Sequence, residues 1–509
     1  MSIARKILEN TFIQVVGKLI TAGLSIIVLK IISGYLGTAG YGDYTTVYQF
    51  LALFGIIADF GIYTITIKEM SKDQSQIPRI LGNVLGLRSA LAVFAMILAV
   101  IAAFLMPAYG DTLIPLGVVV ATFATFFTLL NGTVSTVLQV HLKMQYATIS
   151  LVIGKIASVA YMAWVAFFLY PDNAVLGFYH LLWAGVIGNL IMFVVTAYYT
   201  RRYTKITYCF DYDFWRKIFL TSLPYGVALV LNTLYFRLDV ILMTLLLPHS
   251  TTLGEGECAQ RLCGDTEVGL YGVAQRMLEM LVIIPVYFMN SVLPIMTRYL
   301  EEKNQKIKQL VQYSFDFLIA SGVPILVGGF ILAVPFIHFI SDVTYLSGNT
   351  FTYGSDVAIK ILMFAMLFSF VNSLFGFTLV VLNQQIKLMY INAGGVLFNL
   401  IGNLLVIPHW GFRGAALTSV FSEFLILIFT YWMAQKVLQF HISLITLLKT
   451  VFSATMMGLF IFIGFMWMKN VWFVWQLAIL IPLGGVVYMF FMLKTKAVTS
   501  EMLALLKKK

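Results

Sequence analysis

Fourteen stretches of 19 to 34 residues, each dominated by apolar side chains, recur along this 509-residue chain and limit its fold more than any motif does. An α-helix rises about 1.5 Å per residue, so about 20 apolar residues cross the hydrocarbon core of a bilayer. Lipid offers no partner to backbone N–H and C=O groups, so such stretches must be helical. A soluble chain of this length clothes its surface with about a quarter charged residues. Here 11% are charged, 60% are hydrophobic and the mean hydropathy is +0.92. The expectation is an all-α integral membrane protein of about fourteen transmembrane helices.

The stretches, numbered as spans 1 to 14, cover Thr11–Leu36, Tyr44–Ile67, Ile80–Met106, Leu113–Leu138, Tyr146–Tyr170, Leu176–Tyr199 and Phe214–Leu247 in the first half. The second half holds Val268–Tyr299, Tyr313–Ile340, Val357–Leu382, Met389–Ile407, Ala415–Met433, Leu444–Met468 and Val471–Leu493. The breaks at 171–176 and 408–414 are short turns marked by Pro and Gly. The net charge of +11 follows the positive-inside rule and gives no reason to invoke nucleic acid. Of 33 Lys and Arg, 23 fall at the termini, in even-numbered loops or at the span ends beside them, three in odd-numbered loops (Arg261, Arg413, Lys469) and seven elsewhere within spans. Both termini are therefore expected in the cytoplasm, with the protein multi-pass in the cytoplasmic (inner) membrane. The first stretch is too long for a signal-peptide core and lacks a small-residue cleavage site, so it reads as retained.

The longest loop, Pro248–Glu267, is acidic and too short to fold into a catalytic domain. No P-loop, dinucleotide fingerprint, HExxH or GxSxG occurs, so no cofactor and no catalytic residue is expected. A membrane glycosyltransferase or polysaccharide polymerase, the alternative from another class, usually carries a large outward loop. Cys258 and Cys263 share the outward loop, where a local disulfide and two free thiols are both open readings. Zinc is not expected, because further ligands are missing nearby.

The chain reads as internally duplicated, as many transporters are. Ala4-Arg5-Lys6-Ile7 leads into span 1 and Trp215-Arg216-Lys217-Ile218 into span 7, while Gly42-Asp43-Tyr44 opens span 2 and Gly269-Leu270-Tyr271 opens span 8. Spans 5 and 11 begin alike around Tyr146 and Tyr390. A six-plus-six repeat follows, with an N-terminal lobe over 1–205, a C-terminal lobe over 206–440, and spans 13 and 14 with a basic tail over 441–509. Each half starts on the same side of the membrane, so the repeats are parallel.

The runs LGTAGYGDY (Leu36–Tyr44), ADFGIYTITIKEMSK (Ala58–Lys72), RLDVILM (Arg237–Met243), VGLYGVAQRMLEM (Val268–Met280) and GFRGAALTSVFSE (Gly411–Glu423) resemble the polysaccharide transporter family. That family includes the Wzx-like flippases of the MOP exporter superfamily. The resemblance implies two six-helix lobes around a central cavity, working by alternating access. It also implies a substrate: a polyprenyl-pyrophosphate-linked oligosaccharide turned to the outer leaflet for cell-surface polysaccharide synthesis. Polysaccharide assembly proteins and membrane lipid are the implied partners. Lipid II flippases and drug or metabolite exporters share the fold and are the alternatives within transport. The exporters usually place an acidic residue early in helix 1, where this chain has Lys18 and Lys30.

Ionisable residues at the bilayer centre cost roughly 2.5–3.5 kcal/mol, so they face a protein interior or a wet cavity. Seven cations (Lys18, Lys30, Arg88, Lys155, Arg237, Arg276, Lys360) and five anions (Asp59, Asp239, Glu279, Asp316, Glu423) lie within the spans. By helical rise, Lys18, Arg88, Lys155 and Asp59 share a level about 10–14 Å from the cytoplasmic ends, and Lys30, Arg237 and Arg276 lie about 9–16 Å from the outer ends. These six cations are the candidate passage for a pyrophosphate, which Arg and Lys recognise by charge and by donors. For Lys18, Arg88 and Lys155 the functional reading is preferred, because only Asp59 is at hand to neutralise them. For Arg237 and Arg276, Asp239 and Glu279 leave plain salt bridging equally open. Lys360 and Asp316, near helix ends, are expected to snorkel to the interface. Glu423, mid-membrane in span 12, is a candidate for proton or sodium coupling or a buried neutral carboxyl held by a neighbouring helix.

Overall fold

The computed structural model of the protein describes residues 3–141, 143–250, 262–469 and 471–497. Among these, regular structure is helical throughout, apart from one isolated bridge between Ser347 and Phe351. Eleven helical stretches among the described residues are long and apolar enough to cross a bilayer. Two of them, Val16–Lys72 and Gln385–Leu438, hold two spans each, joined where Gly37 (φ 67°) and Gly411 (φ 54°) leave the helical conformation. Both angles lie in the left-handed region that glycine alone enters at little cost. Counting each joined pair as two, and adding the helix Tyr212–Leu246, gives the fourteen spans expected.

The chain divides into two compact units, Met1–Gly269 and Leu270–Lys509. Within unit 1 the core is built from Val47, Phe50, Ala92, Ala95, Ala99 and Phe178, all buried. The small residues of span 3 recur three and four apart, which lets neighbouring helices approach closely without any hydrophobic drive from water. Unit 2 has its own core, with Val311, Leu318, Leu374, Phe375 and Ile461 among its buried members.

Span ends meet as an alternating path requires. In unit 1, Arg79 at the start of span 3 pairs at 3.0 Å with Asp211 before span 7, and the Cys209 N–H donates to the Gly82 carbonyl at 3.1 Å. Both contacts join even-numbered loops. At the opposite ends, Tyr35 donates to the Asn173 carbonyl at 3.0 Å, and Tyr109 bonds Thr244 at 3.1 Å. In unit 2, the Ser443 N–H donates to Gln312 at 2.8 Å on the even side. On the odd side the Arg413 guanidinium lies 3.8 Å from the Tyr353 ring, and His338 stacks on Phe473 at 4.0 Å.

Among the described residues spans 2, 8 and 9 are interrupted, span 9 at Leu332 between the helices Lys306–Ile331 and Ala333–Ile340. The helix carrying span 2 stops at Asp59 and resumes as Ile62–Lys72, after Phe60 (φ 37°) and Gly61 (φ 76°). A left-handed phenylalanine costs about 1–2 kcal/mol. Its ring stacks on Phe219 at 5.7 Å, and Gly226 leaves room for its backbone, since a Cβ there would fall 2.7 Å from the Phe60 carbonyl oxygen. Span 8 is likewise divided into Gly264–Leu281 and Ile283–Glu301.

Candidate functional site

Arg88 is the most deeply buried of the candidate cations, with 3% of its surface exposed. Its guanidinium pairs with Asp59, at the end of the first half of span 2, and donates to Thr133 of span 4 at 2.9 Å. Its Nε is buried without a protein partner. Tyr63, the second residue of the resumed helix, donates to Gln139 at the end of the helix that carries span 4, at 2.7 Å. Spans 2, 3 and 4 are thus fastened together around one cation. The pair cancels most of the charge, but the planar fork keeps its direction fixed.

Lys18 and Lys155 sit differently. Lys18 is exposed and Lys155 half-buried. Gly17, next to Lys18, packs directly against Thr148, two turns before Lys155 on span 5; a Cβ on Gly17 would fall 2.0 Å from the Thr148 methyl. Lys30 is exposed on the same helix as Lys18. Arg237 of span 7 donates to Gln49 of span 2, and Asp239 beside it is buried. Arg276 and Glu279 pair with each other at 2.8 Å on one face of span 8, with the arginine side chain 55% exposed.

In unit 2, Glu423 is buried and accepts the Asn372 amide of span 10 at 2.5 Å, while the same amide reaches the Glu423 backbone carbonyl at 3.0 Å. Thr430 closes the group at 3.4 Å from Asn372 Oδ1. Lys360 meets Asp356 at 3.5 Å in the first turn of its helix. Asp316 departs from the expectation of snorkelling: it is buried and accepts from Gln312 at 2.9 Å. Gln312 also holds the Ser443 backbone, so the carboxyl is retained inside by a neighbour with a second task.

Sequence reading missed the cluster formed by Asp43, His249 and Asp265, all buried. His249 Nε2 lies 2.9 Å from Asp43 Oδ1 and its Nδ1 3.7 Å from Asp265 Oδ2, while Ser250 donates to Asp265 from its N–H at 3.2 Å and from its hydroxyl. Asp265 and Glu267, read as loop acids, lie in the first turn of the helix Gly264–Leu281, where the helix dipole favours anions. The legible signal was a histidine at the mouth of an acidic loop. Burial pushes the His249 imidazole down, but the hydrogen bond and charge of Asp43, with the charge of Asp265, outweigh it and hold its pKa above the ordinary value. Cys263 is disulfide-bonded and Cys209 free, while Cys258 lies outside the described residues. Among the described residues, no group of three His, Cys, Asp or Glu is arranged to hold a metal ion.

Residues 7–300, more than half of the chain, match the family model described as polysaccharide biosynthesis protein. The chain belongs to the polysaccharide biosynthesis protein family. Residues 258–405 also match the MatE model, and the family is one of MOP-superfamily transporters. The fold of this family member is that of a lipid II flippase MurJ in an inward closed conformation, with a TM-score of 0.70 over 95% of this chain and 98% of that one, at 14% identity. It also matches an inward-facing multidrug resistance MATE family transporter, with a TM-score of 0.63 over 84% and 98% of the two chains at 13% identity. A MOP superfamily transporter from Pyrococcus furiosus, described as having a binding pocket of reverse polarity, gives a TM-score of 0.57 over 85% and 95% at 14% identity. An uncharacterised membrane protein of Methanocaldococcus jannaschii is 33% identical over 143 residues, a match that spans 27% of each chain.

Proposed function

We propose that the protein is a flippase that carries polyprenyl-pyrophosphate-linked oligosaccharide units across the cytoplasmic membrane by alternating access, for assembly of a cell-surface polysaccharide. The observation that carries this reading is a coincidence of extent. The stretch that matches the polysaccharide family, 7–300, holds all six cations of the candidate passage, Lys18, Lys30, Arg88, Lys155, Arg237 and Arg276. A pyrophosphate crossing a low-dielectric region needs fixed positive charge and donors along its way. Arg88 is paired with Asp59, and Lys18 and Lys155 add two further cations on spans 1 and 5. The six-plus-six repeat over 1–205 and 206–440, the cytoplasmic placement of both termini, a proton or sodium ion coupled through Glu423, and contacts with assembly proteins belong to the same proposal.

The test is flipping of a defined polyprenyl-pyrophosphate glycan in proteoliposomes. One charge-assisted contact is worth roughly 1.5–3 kcal/mol, so Lys18→Gln and Lys155→Gln should each weaken substrate handling by about ten- to a hundredfold. Lys360→Gln should leave it nearly unchanged. Normal transport by both neutral variants, correctly inserted, would overturn the cationic passage. Lipid II shares the polyprenyl pyrophosphate and differs in its glycan, so competition between the two lipids separates these substrates.

A further inference from the structure

We propose that Asp43, His249 and Asp265 form a proton-dependent latch that ties the chain after span 7 to the starts of spans 2 and 8, closed when the imidazole carries both ring protons. The geometry carries the argument. Asp43 opens span 2, His249 follows span 7 and Asp265 opens span 8, so one side chain bridges three separate segments of unit 1. All three are at least nine-tenths buried. Neutral imidazole has one N–H and can donate to a single carboxylate, whereas imidazolium donates from both nitrogens. With His249 neutral, Asp43 would keep the single imidazole donor, and Asp265 would keep Ser250 but lose the positive charge facing it. Two buried carboxylates would be left to repel each other, a costly arrangement in a low dielectric.

The backbone around the latch is built for close approach. A Cβ on Gly42 would fall 1.7 Å from the Asp265 carbonyl oxygen, and one on Gly269 would fall 2.0 Å from that of Thr38. The two glycines that mark the internal repeat in sequence therefore let the starts of spans 2 and 8 touch backbone to backbone. The Gly264 N–H donates to the Pro248 carbonyl at 2.8 Å and draws the two ends of the intervening loop together.

Among the described residues, the other titratable groups that bear on the cluster are phenols and one further acid. Tyr109, from the turn after span 3, has its pKa pushed up to about 12, chiefly by burial, and stays neutral. Tyr179 of span 6 lies within the field of Asp43. Glu267 is buried two residues beyond Asp265 and adds negative charge to the same end of the helix. Among the described residues none of these groups is a cation, so the imidazole is the cation set against this surplus of acid.

The sign follows from the raised imidazole pKa. While Asp43, whose own pKa burial raises, stays ionised, the latch contributes fully below about pH 6.5, the value of an unperturbed histidine, and it is lost as pH rises through the higher value of the folded protein. Hydrogen exchange on the full-length protein in nanodiscs, at about pH 5.5 and about pH 8.5, reads it directly. After correction for intrinsic rates, amides of 247–250 and 262–266 should be protected about tenfold or more at the lower pH. His249→Gln keeps a neutral donor and acceptor and should make protection equal at both pH values. Carbethoxylation of His249, which needs the neutral ring, should reach half its maximal rate above pH 6.5 in the wild type and fall toward that value in Asp43→Asn. Equal protection at both pH values in the wild type, a pH dependence kept by His249→Gln, or a His249 midpoint at or below 6.5 would each overturn the latch.

Discussion

In unit 1 the buried Arg88 meets a carboxylate and a hydroxyl, whereas in unit 2 the buried Glu423 meets the amide of Asn372. The first arrangement holds two opposite charges that stabilise each other, so neither gains by changing its protonation state. The second gives a buried carboxyl a neutral amide neighbour that can serve it in either state, because an amide both donates and accepts. A fixed cation suits a site that orders helices or holds an anionic head group. A carboxyl beside an amide suits a site that takes up and releases a proton.

The largest effect should come from leaving Arg88 without its partner. Asp59→Ala strands a buried guanidinium and should cost about 3 kcal/mol, read as a fall in thermal stability in detergent and in the yield of folded protein. Asp59→Ala combined with Arg88→Met should recover much of the loss. A single variant as stable as the wild type would remove the contrast, because the pair would then be no firmer than the Glu423 site. A smaller effect on folding is expected for Glu423→Gln, about 1 kcal/mol, because the Asn372 contact can be remade by an amide. In proteoliposomes the same variant should abolish the dependence of transport on a proton or sodium gradient. An unchanged dependence would reduce Glu423 to a packing residue and leave the two units alike in role. The smallest effect belongs to Arg276→Ala, under about 0.5 kcal/mol, since its exposed pair with Glu279 spans one turn of one helix. A larger loss would mean that Arg276 is held by more than its own helix.

The fourteen spans were legible because each obeys a length rule imposed by the bilayer, and their alternation was legible because cations collect at even-numbered loops. Gly411 lay within the break legible at 408–414 and Gly37 in the gap between spans 1 and 2, though neither was legible as a single residue joining two helices. Side-chain pairing across spans was not legible. Arg88 lies 29 residues from Asp59 and 45 from Thr133, separations that carry no periodic signal. The Arg276–Glu279 pair was readable, because residues three apart share a helix face. The Asp43–His249 contact joins residues 206 apart, and a histidine at the mouth of an acidic loop does not announce which distant carboxylate it meets. Asp316 was misjudged from its nearness to a helix end, since the Gln312 that keeps it inside is engaged elsewhere in a way the sequence does not announce.

The interruption of span 2 at Asp59 has a consequence for biogenesis. Asp59 leaves the ribosome 29 residues ahead of Arg88. A carboxylate near the middle of a nascent segment makes insertion less favourable by roughly 2.5–3.5 kcal/mol, and the helix break beside it exposes carbonyl groups that lipid cannot satisfy. Span 2 is therefore a poor candidate for entering the bilayer alone. It is expected to wait beside the insertion machinery until span 3 brings the guanidinium, so that the two partition as a hairpin. Glycosylation mapping of chains truncated before and after Arg88 would register this as a step in the membrane integration of span 2, and equal integration of the two truncations would show that span 2 enters by itself.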